Sequence, residues 1–150
     1  MVIFRVHVSL LNIEPLIWRR VELSSQTTLK QFHRILQIAM GWTNSHLHEF
    51  IVGRQRYGTP DLHYDGPGEV ISEGKVPLSK VLPVPEARIL YVYDFGDYWQ
   101  HSVQLEAILA AQSGIDYPRV LDGARSCPPG RLRRRHRVCG SCRYPSRPDA

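Results

Sequence analysis

Tyr91-Val92-Tyr93-Asp94-Phe95-Gly96-Asp97-Tyr98-Trp99-Gln100-His101 decides the fold of this 150-residue chain. Alternation on both sides of Phe95-Gly96-Asp97 predicts two antiparallel strands, residues 89–94 and 98–105, joined by a short loop. Side chains alternate along a strand, so Trp99, His101, Val103 and Leu105 share one face. An imidazole is thereby carried onto an apolar surface beside an indole, with Asp94 and Asp97 at the loop to orient or charge it.

The same alternation opens the chain. Val2, Phe4, Val6, Val8 and Leu10 interleave with Ile3, Arg5, His7 and Ser9, predicting a half-buried strand. A turn at residues 12–15 returns it as a second strand over 16–23, with Trp18 and Arg20 on one face and Ile17, Arg19 and Val21 on the other. Thr28 with Gln31 three residues later forms a capping box. Leu29, Phe32, Leu36 and Ala39 then recur at helical spacing until Gly41 stops the helix. A third strand over 47–52 puts His48, Phe50 and Val52 on one face. Residues 53–74, rich in Gly, Pro and Asp, read as a long irregular loop. A short helix over 76–82 precedes the hairpin, and residues 105–111 suit a final helical turn. The fold class that follows is α+β: a single mixed or antiparallel sheet with one main helix packed across it, in a β-grasp-like order of ββαβ, short helix, ββ.

Length and a 43% hydrophobic content fit one domain with a real core. No apolar run approaches the ~20 residues needed to span a bilayer, and no signal peptide is visible, so a cytoplasmic location and no membrane partner are expected. Three cysteines do not form a disulfide framework. The net charge of +5 invites a nucleic-acid reading, but its distribution does not. Residues 126–150 hold seven arginines and one aspartate, which leaves 12 basic and 13 acidic side chains in the first 125. The body is nearly neutral and the basic excess is a tail, able to bind DNA nonspecifically or to remain a solvated end.

Several residue groups have the chemistry of a site. His46, His48, Asp94, Asp97 and His101 form a polar cluster whose imidazoles and carboxylates suit a divalent ion. The alternative is that His48 and His101 are core-edge histidines bonded to a carboxylate or a backbone oxygen. Arg19 and Arg20, beside Trp18 and with Trp42, could stack bases or grip phosphates. Against this, Trp42 reads as a core plug after the helix, and the arginines could pair with Glu22 or Glu49. In the tail, Arg133, Arg134 and Arg135 are further nucleic-acid candidates. Cys127, His136, Cys139 and Cys142 are zinc candidates through the Cys139-Gly140-Ser141-Cys142 spacing. Ser9 lacks the arginine two residues before it that a serine recombinase motif would have, and is a polar-face strand residue.

Four motifs in one order carry a family resemblance. Trp18-Arg19-Arg20, the run Gly41-Trp42-Thr43-Asn44-Ser45-His46-Leu47-His48-Glu49-Phe50, the hairpin above, and Tyr117-Pro118-Arg119 through Ser126-Cys127-Pro128-Pro129 resemble the plasmid pRiA4b ORF-3-like family. The similarity covers residues 4–129. It implies a compact α+β domain and an association with mobile DNA, since some members travel on mobile elements and are labelled resolvase-like. It supplies no established catalytic residue. Relatives continue past the Cys-Pro-Pro segment with acidic, cysteine and paired-glycine residues where this chain has Gly130-Arg131-Leu132-Arg133-Arg134-Arg135. A one-base shift of codons suited to that stretch restores such residues, pointing to a frameshift near Pro129. The expected domains are therefore an ORF-3-like domain over 1–129 and an arginine-rich, disordered tail over 130–150.

The function expected from these readings is a plasmid- or mobile-element-associated accessory or binding module, not an enzyme, with no cofactor. Its partner is an unidentified protein or nucleic acid. The rivals are a metal-dependent enzyme using His48, His101 and Asp94, and a nucleic-acid-binding protein.

Overall fold

The computed structural model describes residues 1–60 and 69–125. Among the described residues eight strands and two helices follow in chain order: β1 (Val2–Leu10), β2 (Ile17–Ser24), α1 (Leu29–Met40), β3 (His48–Val52), β4 (Gln55–Gly58), β5 (Val70–Ser72), α2 (Leu78–Val81), β6 (Arg88–Tyr93), β7 (Trp99–Ala110) and β8 (Arg119–Ala124). A 3₁₀ turn, Glu73–Lys75, separates β5 from α2. The strands form one sheet in the order β5-β4-β3-β6-β7-β1-β2-β8. It is mixed: β4 and β5 run parallel, and the other described pairs are antiparallel. Among the described residues no helix is long and apolar enough to cross a membrane.

The α+β class, the single sheet and the one main helix stand as the sequence implied. Thr28 accepts from the Gln31 backbone N–H while the Gln31 side chain accepts from the Thr28 N–H, and Gly41 closes the helix at φ 81°. The helix lays Leu29, Phe32, Leu36 and Met40 on the sheet, where they meet Phe4, Val6, Val8, Leu10, Phe50, Val103 and Leu105 in one core. Trp99, His101, Val103 and Leu105 do share its buried face.

Two expectations fail. Residues 53–74 are not one irregular loop: Val52 faces Gln55 across a two-residue turn with Gly53 at φ 61°, giving the β3–β4 hairpin, and β5 adds to its edge. Residues 105–111 do not turn into a helix despite their Leu, Glu and Ala. They prolong β7, because Ala110, Leu109, Ile108 and Ala107 pair with Val2, Ile3, Phe4 and Arg5. Here cross-strand pairing overrides helix propensity. The strand β8 was unforeseen, and it closes the far edge against β2. The β-grasp-like order is not confirmed, since β4, β5 and β8 extend the sheet to eight strands and the central β7 is antiparallel to both neighbours. Cys127, Arg133, Arg134, Arg135, His136, Cys139 and Cys142, with the expected tail and the frameshift point, lie outside the described residues.

Candidate functional site

Helical spacing puts His33 and Gln37, four residues apart, on the same sheet-facing stripe as the core residues of α1. Both are buried, so each must find partners inside. They find them in Tyr91 on β6 and in Asn44 on the loop after the helix. Gln37 Nε2 donates to the Tyr91 hydroxyl at 2.8 Å. His33 Nε2 lies 2.7 Å from Asn44 Oδ1, an oxygen that can only accept, so this nitrogen carries the proton. His33 Nδ1 is then an acceptor, and the Tyr91 O–H donates to it at 2.6 Å. The Asn44 backbone N–H returns to Gln37 Oε1 at 2.7 Å. Gln37, Tyr91, His33 and Asn44 thus close a hydrogen-bond ring in which each bond points the same way round. Burial, and then the charge of neighbouring His48, push the His33 imidazole down to about 4, which keeps it neutral in this role. Burial also raises the Tyr91 phenol well above its ordinary range.

His48 stacks on His33, with ring centres 3.4 Å apart and planes 6° from parallel. Its Nε2 meets both carboxylate oxygens of buried Glu73, at 2.8 and 3.0 Å. Glu73 comes from the 3₁₀ turn, at the end of the stretch whose Gly, Pro and Asp content suggests a loop.

His101 sits apart from this stack. Trp42 Nε1, which can only donate, reaches His101 Nε2 at 3.0 Å, so the His101 proton is on Nδ1, which donates to the Tyr91 carbonyl at 3.1 Å. Both ring nitrogens are engaged and the residue is fully buried. Trp42 is the core plug that the sequence implied, packed at 5.5 Å from Trp99 and 5.2 Å from Tyr93.

The exposed rim lies above. His46 Nε2 stands 3.6 Å from Asp94 Oδ2, and Asp94 Oδ1 accepts from the Gly96 and Asp97 backbone N–H groups. Ser45 N–H donates to the Tyr93 hydroxyl at 2.9 Å, and Asp94 N–H to the Leu47 carbonyl at 2.8 Å. The five polar candidates are therefore divided three ways: His46 with Asp94 and Asp97, His48 with Glu73 and His33, and His101 with Trp42 and Tyr91. Among the described residues no group of three His, Cys, Asp or Glu is placed to hold one metal ion. His33, Gln37 and Glu73 lie outside the motifs quoted above, and Asn44 and Tyr91 lie inside them without being site candidates. The polar pair four apart on an otherwise apolar helix stripe was the signal that could have found the first two.

Of the two arginine candidates at Trp18, one is buried and the other about a third exposed, with the Arg20 guanidinium over the Trp18 ring at 5.2 Å. Arg19 is buried and donates to the carbonyls of Ala39, Trp18, Ala124 and Arg125, tying β2 to the end of α1 and to β8. Arg20 bonds Glu106 at 2.7 Å and lies 3.6 Å from Asp122. The acids proposed from sequence serve others: Glu22 binds Arg5 and Arg119, and Glu49 binds Arg56.

Fold and site together define a small α+β domain in which a buried histidine and tyrosine network supports two surface loops. The family described as Plasmid pRiA4b ORF-3-like protein matches residues 2–133, and the chain belongs to that family. It is 38% identical over 127 residues to the uncharacterized protein y4hQ of Sinorhizobium fredii (strain NBRC 101917 / NGR234), covering 85% of this chain. The match spans about 64% of that relative's length. Its fold is similar to the crystal structure of MM3350, a protein of unknown function from Methanosarcina mazei Go1. That match has a TM-score of 0.75 and 34% identity, and covers 87% of this chain and 74% of the other.

Proposed function

We propose that this protein is an accessory binding module associated with plasmid or mobile-element DNA, engaging a partner through the loops at residues 43–47 and 94–98. The carrying observation is how the first loop is held. Thr43, Asn44, Ser45 and His46 are exposed, yet Asn44 and Ser45 are fastened from below by buried Gln37, His33 and Tyr93. Asn44, Asp94 and Tyr98 adopt left-handed backbone, with φ of 54°, 63° and 55°. Strained, firmly anchored loops of this kind serve recognition, because a surface fixed beforehand loses little freedom on binding.

The metal-dependent enzyme using His48, His101 and Asp94 is less well supported, since His101 has both nitrogens engaged and the three side chains keep separate partners. Nonspecific DNA affinity is assigned to residues 130–150, where the arginines concentrate. A cytoplasmic location belongs to the same reading, because plasmid DNA lies there.

The test is NMR mapping of labelled protein with duplex DNA from the carrying element and with the proteins encoded beside it. Shifts at residues 43–47 and 94–98, abolished by Ser45→Arg without loss of melting temperature, support the reading. Shifts confined to other surfaces overturn it.

A further inference from the structure

The helix covers one face of the sheet, and on the opposite face a carboxylate holds two arginines. Arg5 on β1, Glu22 on β2 and Arg119 on β8 are lateral neighbours: Arg5 is paired with Glu22, and Glu22 with Arg119. Arg5 Nε and Nη2 donate to Glu22 Oε2 at 3.1 and 2.9 Å, and Arg119 Nε and Nη2 reach Glu22 Oε1 at 2.9 and 2.8 Å. Each guanidinium thus spends one edge on one carboxylate oxygen. The Nη1 group of each makes no hydrogen bond among the described residues. The exposure is lopsided: the Glu22 side chain is 3% exposed, against 38% for Arg5 and 36% for Arg119. Burial opposes the Glu22 charge, but the hydrogen bonds from Arg119 and Arg5 outweigh it and hold this carboxyl below its ordinary range.

One buried anion therefore fixes two cations that are each a little over a third exposed, Arg119 with its guanidinium also over the Tyr117 ring at 5.8 Å, and the triad by itself keeps a net positive charge. The neighbouring carboxylates share one arginine, so the three arginines and three carboxylates of this face balance. Glu106 is matched to Arg20 at 2.7 Å, and Asp122 lies on the same arginine. A hollow of about 450 Å³ opens beside Arg5, lined by Arg5, Arg20, Glu106, Ala107, Leu121 and Asp122. The β1–β7 pairing shifts register between Arg5 and Val6, and the β2–β8 pairing between Arg20 and Val21. Both irregularities border this hollow, and bulges commonly re-aim side chains at binding sites.

We propose that Arg5 and Arg119, positioned by Glu22, form a binding site for a phosphate group on the open face of the sheet. The planar, permanently charged guanidinium matches two phosphate oxygens at once, and its fixed orientation removes the ordering cost that a free surface arginine would bear. The site is independent of the loops at 43–47 and 94–98, so either proposal can fail alone.

The experiment titrates the labelled full chain with inorganic phosphate against chloride at constant ionic strength, then with adenosine monophosphate and with a thymidine oligonucleotide. Saturable shifts at Arg5, Glu22 and Arg119 are expected, and residue-specific readout separates them from any response of the arginine-rich tail. Arg119→Gln should weaken phosphate at least tenfold. If that variant loses the native spectrum, Arg119→Lys, which retains the charge but not the fork, should weaken it severalfold with unchanged melting. Tighter binding of the monophosphate assigns the group to a small molecule, and tighter binding of the oligonucleotide assigns it to nucleic acid. Shifts at these three residues no larger with phosphate than with chloride, or a folded variant that binds as the parent does, would overturn the proposal.

Discussion

The imidazole of His33 lies flat on that of His48, centres 3.4 Å apart, while the His33 nitrogens serve Tyr91 and Asn44. The stack tolerates little charge on His33, whose ring is pushed from 6.5 to about 4 by burial and by His48. Glu73 attracts the proton, Arg34 repels it, and the Asn44 hydrogen bond favours it only in part. Between those two values the unfolded chain binds a proton that the folded chain refuses, so stability rises with pH across this window. It is fully present above about 6.5 and falls as the solution is acidified toward 4, by at most about 3 kcal/mol. Chemical denaturation at intervals from pH 7 to 4 should show this slope, and His33→Gln should flatten it. Glu22 and Glu106, both held below their ordinary range, add loss of the same sign at lower pH. An unchanged slope in the variant would put the sensitivity elsewhere.

Phe32 is fully buried in α1 and stacks on Phe50 at 5.8 Å. Phe32→Ala should cost about 3 to 5 kcal/mol through lost transfer energy and the cavity left behind. Equilibrium denaturation measures it, and a loss below 1 kcal/mol would mean that the helix does not press this face on the sheet.

Trp42→Phe keeps most of the ring contacts with Trp99 and Tyr93 but leaves His101 Nε2 buried without its donor. The expected cost is about 1 to 3 kcal/mol. Nitrogen-15 spectra of the parent should show the His101 proton on Nδ1. A proton on Nε2 there would contradict the arrangement.

Gly123→Ala tests the edge of the sheet. A Cβ at this position would lie 2.8 Å from the Trp18 carbonyl oxygen and 2.7 Å from Arg19 Cδ, and the backbone cannot yield. The substitution should detach β8 and loosen the Arg19 carbonyl clamp, seen as faster amide exchange across residues 119–124 and a lower melting temperature. Exchange as slow as in the parent would show that the strand absorbs the methyl group.

Much of the fold was legible because it is local. Alternation announced β1, β2, β6 and the first half of β7, while Thr28, Gln31 and Gly41 marked both ends of α1. What escaped is decided by partners distant in sequence. Residues 105–110 carry helix-forming side chains and are strand because β1 waits beside them. Arg119–Ala124 contains Asp and Gly, poor strand formers, and is held by β2. The site was half legible for the same reason. His46, His48, Asp94 and His101 stand in conspicuous motifs, whereas Glu73 reaches His48 from 25 residues away and Tyr91 reaches His33 across 58. Their roles are set by pairing that no spacing rule encodes.

The sheet joins β1, at the front of the chain, to β7, which begins at Trp99. During synthesis the β1–β2 hairpin is therefore made long before the strand that covers its inner edge. Until about residue 110 has left the ribosome, Val6, Val8 and Leu10 belong to an open two-stranded ribbon with an unpaired side, a form that is marginal alone and prone to join other chains. The pairing of β1 with β7 closes a loop of some hundred residues, the kind of distant contact that slows folding.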